Sequence, residues 1–326
     1  MVSLSVAPDH HPPSFKQQQQ QQQPRSAFSP CSPLAIYTSI AKTNGTMSAP
    51  TTASKFSADD SGLLIVFMEP GKDVSLDEFH EWYGNEHIPL RLESLPEFRS
   101  AARYKVTGAV FPTNAVSTSE VKAPGWAAMY TISSNAIFAD RAYTRLRDER
   151  SAREADIFAR IAVVDRRAYR LVYDSDLDAR IHSPARHNLR PQTKDEIERE
   201  SRYVVAHGVE TDDAQEYAKW FDEEHAFLLS KVPGWTRSRR FELVDNGVVG
   251  HAADKQGRDA KEVPKFLAVH EYTNDQPEST QEYKAACDTE WRARAMGPNG
   301  ERIVKRERKT MQLFRAYDPI SAMQEK

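Results

Sequence analysis

The chain has 326 residues, of which 39% are hydrophobic, so it is long and apolar enough for two ordinary domains with buried cores. Its 44 basic and 47 acidic residues leave a formal net charge of -3 and are mixed along the chain, which favours neither nucleic acid nor an anionic membrane as a partner. The two cysteines have neither metal-ligand nor disulfide-framework spacing, and they indicate a reducing, cytoplasmic location.

Residues 1–60 are predicted to be a disordered, low-complexity tail. They contain a glutamine tract from Gln17 to Gln23 among many Pro, Ser and Thr residues, and Asp9 is the only acidic residue before position 57. Scarce acidic residues and frequent serines also suit an organelle-targeting peptide, although the tail has a single arginine. Translation from Met47, close to the start of the predicted globular part, is an alternative explanation of this segment.

Residues 61–175 alternate between strand-like and helix-like patterns. Ser75 and Glu78 have the spacing of a capping box, which predicts a helix that begins near Leu76. Runs rich in β-branched and aromatic residues predict the strands, and periodic apolar residues predict the helices. In chain order, the predicted elements are strand Leu63–Glu69, the helix from Leu76, strands Arg99–Val106 and Trp126–Ile132, helical segments Ala136–Arg147 and Arg153–Ile161, and strand Ala168–Tyr173.

Residues 176–200 are predicted to be a polar linker, in which Thr193 and Glu196 indicate a short capped helix. Residues 201–318 then form a second predicted unit, and residues 319–326 a C-terminal tail. The predicted elements of the second unit are strand Tyr203–Glu210, a helix through Tyr217 to Leu228, strands Thr236–Val244 and Phe266–Tyr272, helix Ser279–Ala295 and strand Met311–Ala316.

The two predicted units repeat one sequence pattern. Residues 79–104 and 217–241 share an aromatic residue, a Trp-aromatic pair, a Glu-His pair, a proline and an Arg-aromatic pair, with one residue of slippage. Each copy has the order β-α-β-β-α-β, which is typical of a ferredoxin-like α+β unit. We therefore predict two tandem ferredoxin-like units that pack sheet to sheet as an intramolecular, pseudo-dimeric α/β barrel.

The first helix of each unit carries a histidine on its predicted inward stripe. At 3.6 residues per turn, Phe79, Tyr83 and His87 share one face of the first helix, and Phe221 and His225 share the matching face of the second. A histidine among aromatic residues can exchange a proton near neutral pH. The alternative interpretation is a buried structural histidine that hydrogen-bonds a backbone carbonyl or a carboxylate.

A second titratable residue is expected near each histidine. Tyr130 and His270 occupy equivalent positions on the third strands, where alternation aims them at one sheet face. A pair of His87 with Tyr130, or of His225 with His270, could serve as general acid and base. Tyr130 could instead be a plain core residue.

Other residues around the histidines are candidates for the pocket wall. Trp82 and Trp220 lie one residue off the predicted stripes, and two arginines on the second strands could bind a carboxylate or phenolate. The candidate pocket or substrate-binding residues are Trp82, Tyr83, Arg103, Trp220, Phe221 and Arg240.

Several common catalytic motifs are missing from the sequence. It contains no GxGxxG after a predicted strand, no P-loop, no HExxH and no GxSxG. Nucleotide-dependent, zinc-protease and serine-hydrolase chemistry therefore lack support, and we predict neither a cofactor nor a metal.

The segment WYGNEHIPL, from Trp82 to Leu90, resembles the Trp-x-x-x-x-His-x-Pro-Leu pattern of EthD-like proteins in the dimeric α/β-barrel superfamily. The resemblance covers both halves of the chain, but the second copy lacks the proline after the histidine. It implies a pocket between sheet and helices for a small aromatic or polyketide-like molecule, with His87 as its polar residue and no metal or organic cofactor. It also places the more complete site in the first copy.

We therefore expect a cofactor-independent lyase or isomerase of the dehydratase, cyclase or decarboxylase type, with His87 as acid or base and Tyr130 assisting. One alternative is a non-catalytic small-molecule-binding or stress-associated protein of the same fold, and another is a cofactor-free monooxygenase. The expected partners are the small molecule and other copies of this chain in a homo-oligomer, with neither nucleic acid nor a membrane.

Overall fold

The computed structural model describes residues 55–110, 124–181, 192–253 and 263–319. Most of the predicted N-terminal tail, including the glutamine tract, therefore lies outside the described residues, and so does the C-terminal tail from residue 320. Within the described ranges, no helix has the ~18 apolar residues that crossing a bilayer requires.

The strands of the described chain form one closed antiparallel barrel, so the fold class is α+β. The barrel order is β1-β3-β2-β8-β5-β7-β6-β4, and β4 pairs with β1 to close it. The strands are β1 (Gly62–Glu69), β2 (Phe98–Val110), β3 (Trp126–Ile132), β4 (Val163–Asp174), β5 (Tyr203–Thr211), β6 (Trp235–Val249), β7 (Phe266–Tyr272) and β8 (Ile303–Tyr317).

The two halves of the chain contribute the same strand order to this barrel. The first half runs β4-β1-β3-β2 and the second runs β8-β5-β7-β6, and the halves are joined at their edges by the pairs β2–β8 and β4–β6. Because both joins are antiparallel ladders, the described strands of neither half leave an unpaired edge. The predicted third strands have the bounds that the structure shows, whereas β8 begins eight residues earlier than Met311, at Ile303.

Short helices cover the outside of the barrel, and side-chain caps set where several of them begin. The complete capping box of Thr193 and Glu196 is confirmed, while Glu78 binds Arg160 through its carboxylate. The helices are α1 (Leu76–Trp82), α2 (Ile88–Ser94), α3 (Arg141–Asp148), α4 (Ala152–Arg160), α5 (Lys194–Glu200), α6 (Ala214–Trp220), α7 (Ala226–Leu229), α8 (Gln281–Ala286) and α9 (Glu290–Met296).

The single helix predicted for Ser279–Ala295 is wrong, because this region is a short 3₁₀ turn followed by α8 and α9. Thr280 and Thr289 each accept a hydrogen bond from a backbone N–H three residues later. Each threonine thus caps a helix of its own, and the second cap interrupts the helical pattern.

A π-helical turn follows the first helix of each half, at Tyr83–His87 and at Phe221–His225. The wider turn places residues five apart on one face, so that the rings of Trp82 and His87 lie 4.8 Å apart and those of Trp220 and His225 lie 4.4 Å apart. Both tryptophans are consequently buried, which corrects the prediction from 3.6-residue periodicity that they lie off the inward face.

Alternation along the strands separates two kinds of core. On β1, Leu63, Ile65 and Phe67 point into the barrel, whereas Leu64 and Val66 pack against the helices of the first half. The barrel interior also holds ionised groups. Arg167 of β4 binds Asp165 on its own strand at 2.7 Å and Glu307 of β8, on the opposite wall, at 2.8 Å. The interior is therefore a packed core that contains a salt-bridge network.

Candidate functional site

A cleft opens in the second half of the chain, between the outer face of β5, β7 and β8 and the helices that cover them. Its volume is about 570 Å³ including the open mouth, and it is lined by three histidines, three arginines and several aromatic rings. The residues that carry its chemistry are His207, His225, His270, Arg292, Arg306, Arg308, Trp220 and Phe221. Four of the sequence-predicted site residues, namely Trp220, Phe221, His225 and His270, are therefore brought together here.

His225 is held in one orientation at the end of its π turn. Its Nδ1 lies 3.1 Å from the carbonyl oxygen of Ala286, and because a carbonyl can only accept, Nδ1 carries the proton and donates it. The ring stacks on Trp220, and burial lowers the pKa of His225 to about 4. His225 is therefore neutral at physiological pH, with an unprotonated Nε2.

His270, on β7, has the complementary hydrogen-bonding arrangement. Its Nδ1 lies 2.8 Å from the hydroxyl of Ser238, and that hydroxyl already accepts a hydrogen bond from Trp235 Nε1 at 2.9 Å. With one acceptor site of this hydroxyl taken by Trp235, donation of the serine proton to His270 Nδ1 is favoured, and this arrangement corresponds to the tautomer with the imidazole proton on Nε2. Burial, followed by the nearby His225, holds the pKa of His270 well below its usual range. The rings of His225 and His270 meet edge to face, with centroids 5.8 Å apart.

The cleft is electropositive although its histidines are neutral. Arg306 donates from Nε to His207 Nε2 at 3.2 Å, and burial together with Arg306 lowers the pKa of His207 to about 3. Arg308 is neutralised by Glu278 at 2.5 Å, whereas the Arg292 guanidinium makes no ion pair with any residue the structure describes. No carboxylate is found among the described residues of the lining. An anionic or electron-rich ligand is therefore favoured.

The histidine of the first half has a different environment. His87 is 7% exposed, and its ring lies against Tyr83, with centroids 4.5 Å apart. Its Nδ1 is 3.4 Å from Glu154 Oε1 but does not meet hydrogen-bond geometry, so the contact is electrostatic. Burial, followed by the charge of Arg91, lowers the pKa of His87 to about 4.

The expected direct pair of His87 with Tyr130 is not formed. The Tyr130 hydroxyl lies 3.3 Å from that of Tyr83, so Tyr83 stands between the two predicted partners. Tyr83, Tyr130 and Trp82 all belong to the hydrophobic core of the first half. The structure thus favours the second copy as the open site, opposite to the expectation from the family-like pattern.

Cross-strand neighbours explain why one half is packed and the other is open. By strand register, His207 occupies in the second half the position that Val66 occupies in the first, and Arg306 occupies the position of Val164. Both valines are buried in the core of the first half. Polar side chains at these positions cannot close into an apolar core without partners, so they leave a polar cleft. Alternation on β5 could have indicated His207, but the charged run before Met311 obscured the start of β8 and hence Arg306 and Arg308.

The two arginines predicted as pocket residues have different environments. Arg240 forms a bidentate ion pair with Asp222, with Nε–Oδ1 and Nη2–Oδ2 distances of 3.1 and 2.7 Å, and it lies outside the cleft lining. Arg103 is fully buried, and its Nη2 donates to His80 Nδ1 at 2.9 Å. His80 and Asp222 were not among the residues singled out from the sequence.

No protein-family model and no curated protein matches this sequence. Among solved structures, an anthrone oxidase-like protein is similar over 81% of this chain and 95% of its own, with 11% identity and a TM-score of 0.46. A candidate monooxygenase from Lactobacillus acidophilus covers 80% of this chain and 97% of its own, with 8% identity and a TM-score of 0.38. A candidate chlorite dismutase covers 78% and 95%, with 13% identity and a TM-score of 0.43. Identities this low carry no information about individual pocket residues.

Proposed function

We propose that the chain is a cofactor-independent lyase or isomerase whose active site is the cleft of the second half. The observation that carries the proposal is a pair of adjacent buried histidines whose hydrogen-bond partners favour opposite proton positions. His225 presents an unprotonated Nε2 and His270 presents an Nε2–H, both held by hydrogen bonds on their other nitrogens. A base and a hydrogen-bond donor are what proton transfer next to a carbonyl group requires.

The proposed reaction begins with removal of a carbon-bound proton by His225 Nε2. The electron pair of the C–H bond moves toward the adjacent carbonyl, and His270 Nε2–H donates a hydrogen bond to the developing oxyanion. The guanidinium of Arg292 adds a positive charge to the same cleft. Return of the proton to another carbon completes an isomerisation, whereas departure of a β-leaving group completes an elimination.

The basicity of His225 narrows the substrate class. The neutral imidazole of His225 is a weak base, because its conjugate acid has a pKa of about 4, so the proton that it removes must be an acidic one. Carbons activated by a carbonyl and an aromatic ring, or by two carbonyls, meet this requirement. Trp220 and Phe221 supply flat apolar surface for such a molecule. The proposal therefore specifies an aromatic or polyketide-like carbonyl compound.

We further propose that each half is a ferredoxin-like unit of the EthD-like type. The repeated strand order and the π turn at the same place in both halves support this assignment. The family-like pattern then describes the first half, while the chemistry is proposed for the second.

The proposal is tested with a panel of aromatic ketones that carry activated C–H bonds. Exchange of the activated proton for deuterium in D₂O, followed by NMR, detects base catalysis before the product is known. We expect the protein to accelerate exchange for some members of the panel, and His225→Gln to reduce that acceleration by about 10²-fold or more. The matched variant His87→Gln should change it by less than about threefold, because His87 lies outside the cleft.

Three other outcomes would contradict the proposal. Compounds that bind in the cleft without exchange or conversion would indicate the non-catalytic binding protein. Wild-type rates in both histidine variants would exclude this mechanism. Oxygen uptake that matches substrate loss would indicate the cofactor-free monooxygenase, because the same deprotonated substrate can react with oxygen.

A further inference from the structure

Arg103 is a buried cation without a carboxylate partner. Its side chain is fully buried, and among the described residues its Nε and Nη1 find no acceptor in hydrogen-bond geometry. The guanidinium lies within 4.8 to 5.8 Å of the ring centroids of Tyr83, Phe79, Phe314 and Trp126. Rings and the neutral His80 only partly compensate for the lost hydration of a guanidinium, which stays protonated at any physiological pH.

The equivalent arginine of the second half has the carboxylate partner that Arg103 lacks. Arg240 holds the position equivalent to Arg103, and its Nε and Nη2 are bound by both oxygens of Asp222. Asp222 lies two residues after Trp220, and the residue two after Trp82 in the first half is Gly84. The carboxylate that neutralises one arginine is therefore missing beside the other.

The surroundings of Gly84 are those of an anion site. A Cβ atom at Gly84 would lie 3.0 Å from Arg315 Nη1 and 3.2 Å from the Tyr317 hydroxyl. Arg315 stands directly opposite Arg103 on β8, is exposed, and has no carboxylate partner among the described residues. The Tyr317 hydroxyl lies near both guanidinium groups without meeting hydrogen-bond geometry. Two guanidinium groups and a hydroxyl thus converge where the second half has Asp222.

We infer that this place between Gly84, Arg103, Arg315 and Tyr317 binds the carboxylate of a small aromatic acid. The carboxylate takes the role that Asp222 has toward Arg240, with one oxygen on each guanidinium edge. The exposed ring of Phe314 and the half-buried ring of Trp126, beside His80, offer the aromatic part a surface at the entrance. Arg315, which is exposed, can shift to admit the ligand. The site is on the first half and is separate from the catalytic cleft.

Benzoate is a suitable probe, with benzamide as the uncharged control. Titration calorimetry at neutral pH and low salt should detect benzoate binding to the full chain and no binding of benzamide. In Gly84→Asp the protein itself supplies the missing carboxylate. The affinity for benzoate should therefore fall by about tenfold or more, which is the effect of removing one charge-assisted pair. Gly84→Ala adds only the Cβ and should weaken it by less than about threefold. Gly84→Asp should also raise the thermal midpoint without benzoate, because it neutralises a buried cation.

The second half offers a reciprocal test. Asp222→Gly should create a new benzoate site beside Arg240 and lower the thermal midpoint until benzoate is added. Absence of benzoate binding to the wild-type chain would overturn the inference. Undiminished binding to Gly84→Asp would also overturn it, and loss of that binding in Arg292→Gln would then place the benzoate in the cleft. The deuterium-exchange assay does not depend on this site, so the two proposals can fail separately.

Discussion

Two histidines with the same sequence context have different environments in this protein. His225 faces a cleft and is oriented by a backbone carbonyl, whereas His87 lies against Tyr83 in an apolar core. The local motif puts a histidine on the inward face in both copies. The residues on the neighbouring strands decide whether that histidine faces a ligand or a packed ring.

At the scale of the single residue, we predict that His87→Ala destabilises the protein by about 2 kcal/mol, since it leaves a hole between the rings of Trp82 and Tyr83. His225→Ala should cost less, because the vacated space joins an existing cleft that water can fill. Urea denaturation of the two variants measures both free energies of unfolding. A larger loss for His225→Ala would contradict the assignment of His87 as the structural histidine.

At the scale of the element, the π turn is what brings each tryptophan onto its histidine. A regular α-helix places residues five apart about 140° from each other around the helix axis, so the stacking of Trp220 on His225 depends on the widened turn. The same turn occurs at the corresponding place in both halves. Sequence periodicity of 3.6 residues cannot detect it, which is why Trp82 was predicted off the buried face.

Deleting the exposed residue Glu223 should convert this π turn into a regular helix. Trp220 and His225 would then be four residues apart, a spacing that an α-helix keeps on one face, so the stack and the contact with the Ala286 carbonyl should survive. We expect the deletion variant to stay folded by circular dichroism and to keep its deuterium-exchange activity within about threefold. Glu223→Ala, which keeps the π turn, is the control. Loss of activity in the deletion variant alone would show that a regular turn cannot replace the π turn in positioning the base.

At the scale of the whole molecule, the barrel joins the two halves into one cooperative core. Arg167 and Glu307 lie on opposite walls and bind across the interior, and the ladders β2–β8 and β4–β6 hold the edges together. A buried ion pair of this kind strongly penalises loss of one partner, because the other charge remains in a dry environment. The halves are therefore expected to unfold together.

The buried histidines predict an acid-labile fold. His87 and His225 have folded-state pKa values of about 4, below the unfolded value near 6.5, so between these values the unfolded chain binds protons that the folded chain does not. Stability should therefore fall as the pH drops below about 6.5, by up to about 1.4 kcal/mol per pH unit for each histidine. Carboxylates with lowered pKa values add to this loss of stability only below about pH 4.5.

Urea denaturation at pH 7, 6 and 5 measures this slope. His87→Gln removes one titrating group, so its free energy of unfolding should fall less steeply with pH than that of the wild type. A stability that is constant or rises between pH 7 and pH 5 would show that these histidines are protonated in the folded chain.

Much of the architecture was readable from local pattern. The bounds of β3 and β7, the capping box of Thr193 and Glu196, and the burial of both π-turn histidines agree with the sequence predictions, because alternation, helix caps and aromatic spacing act within a few residues. The antiparallel barrel agrees with the predicted α+β class. Reaction and substrate stay predictions.

The choice between the two copies required the folded chain. The histidine of each half faces a core or a cleft according to the residues at two strand positions, which are Val66 and Val164 in the first half and His207 and Arg306 in the second. In each half these two residues come together only because their strands pair, although about 100 residues separate them in sequence. The partner of each buried arginine is likewise determined by the residue that lies across the helix–sheet interface, which is Asp222 for Arg240 and His80 for Arg103. Packing and charge neutralisation are properties of neighbours in space, and neither copy of the motif contains them.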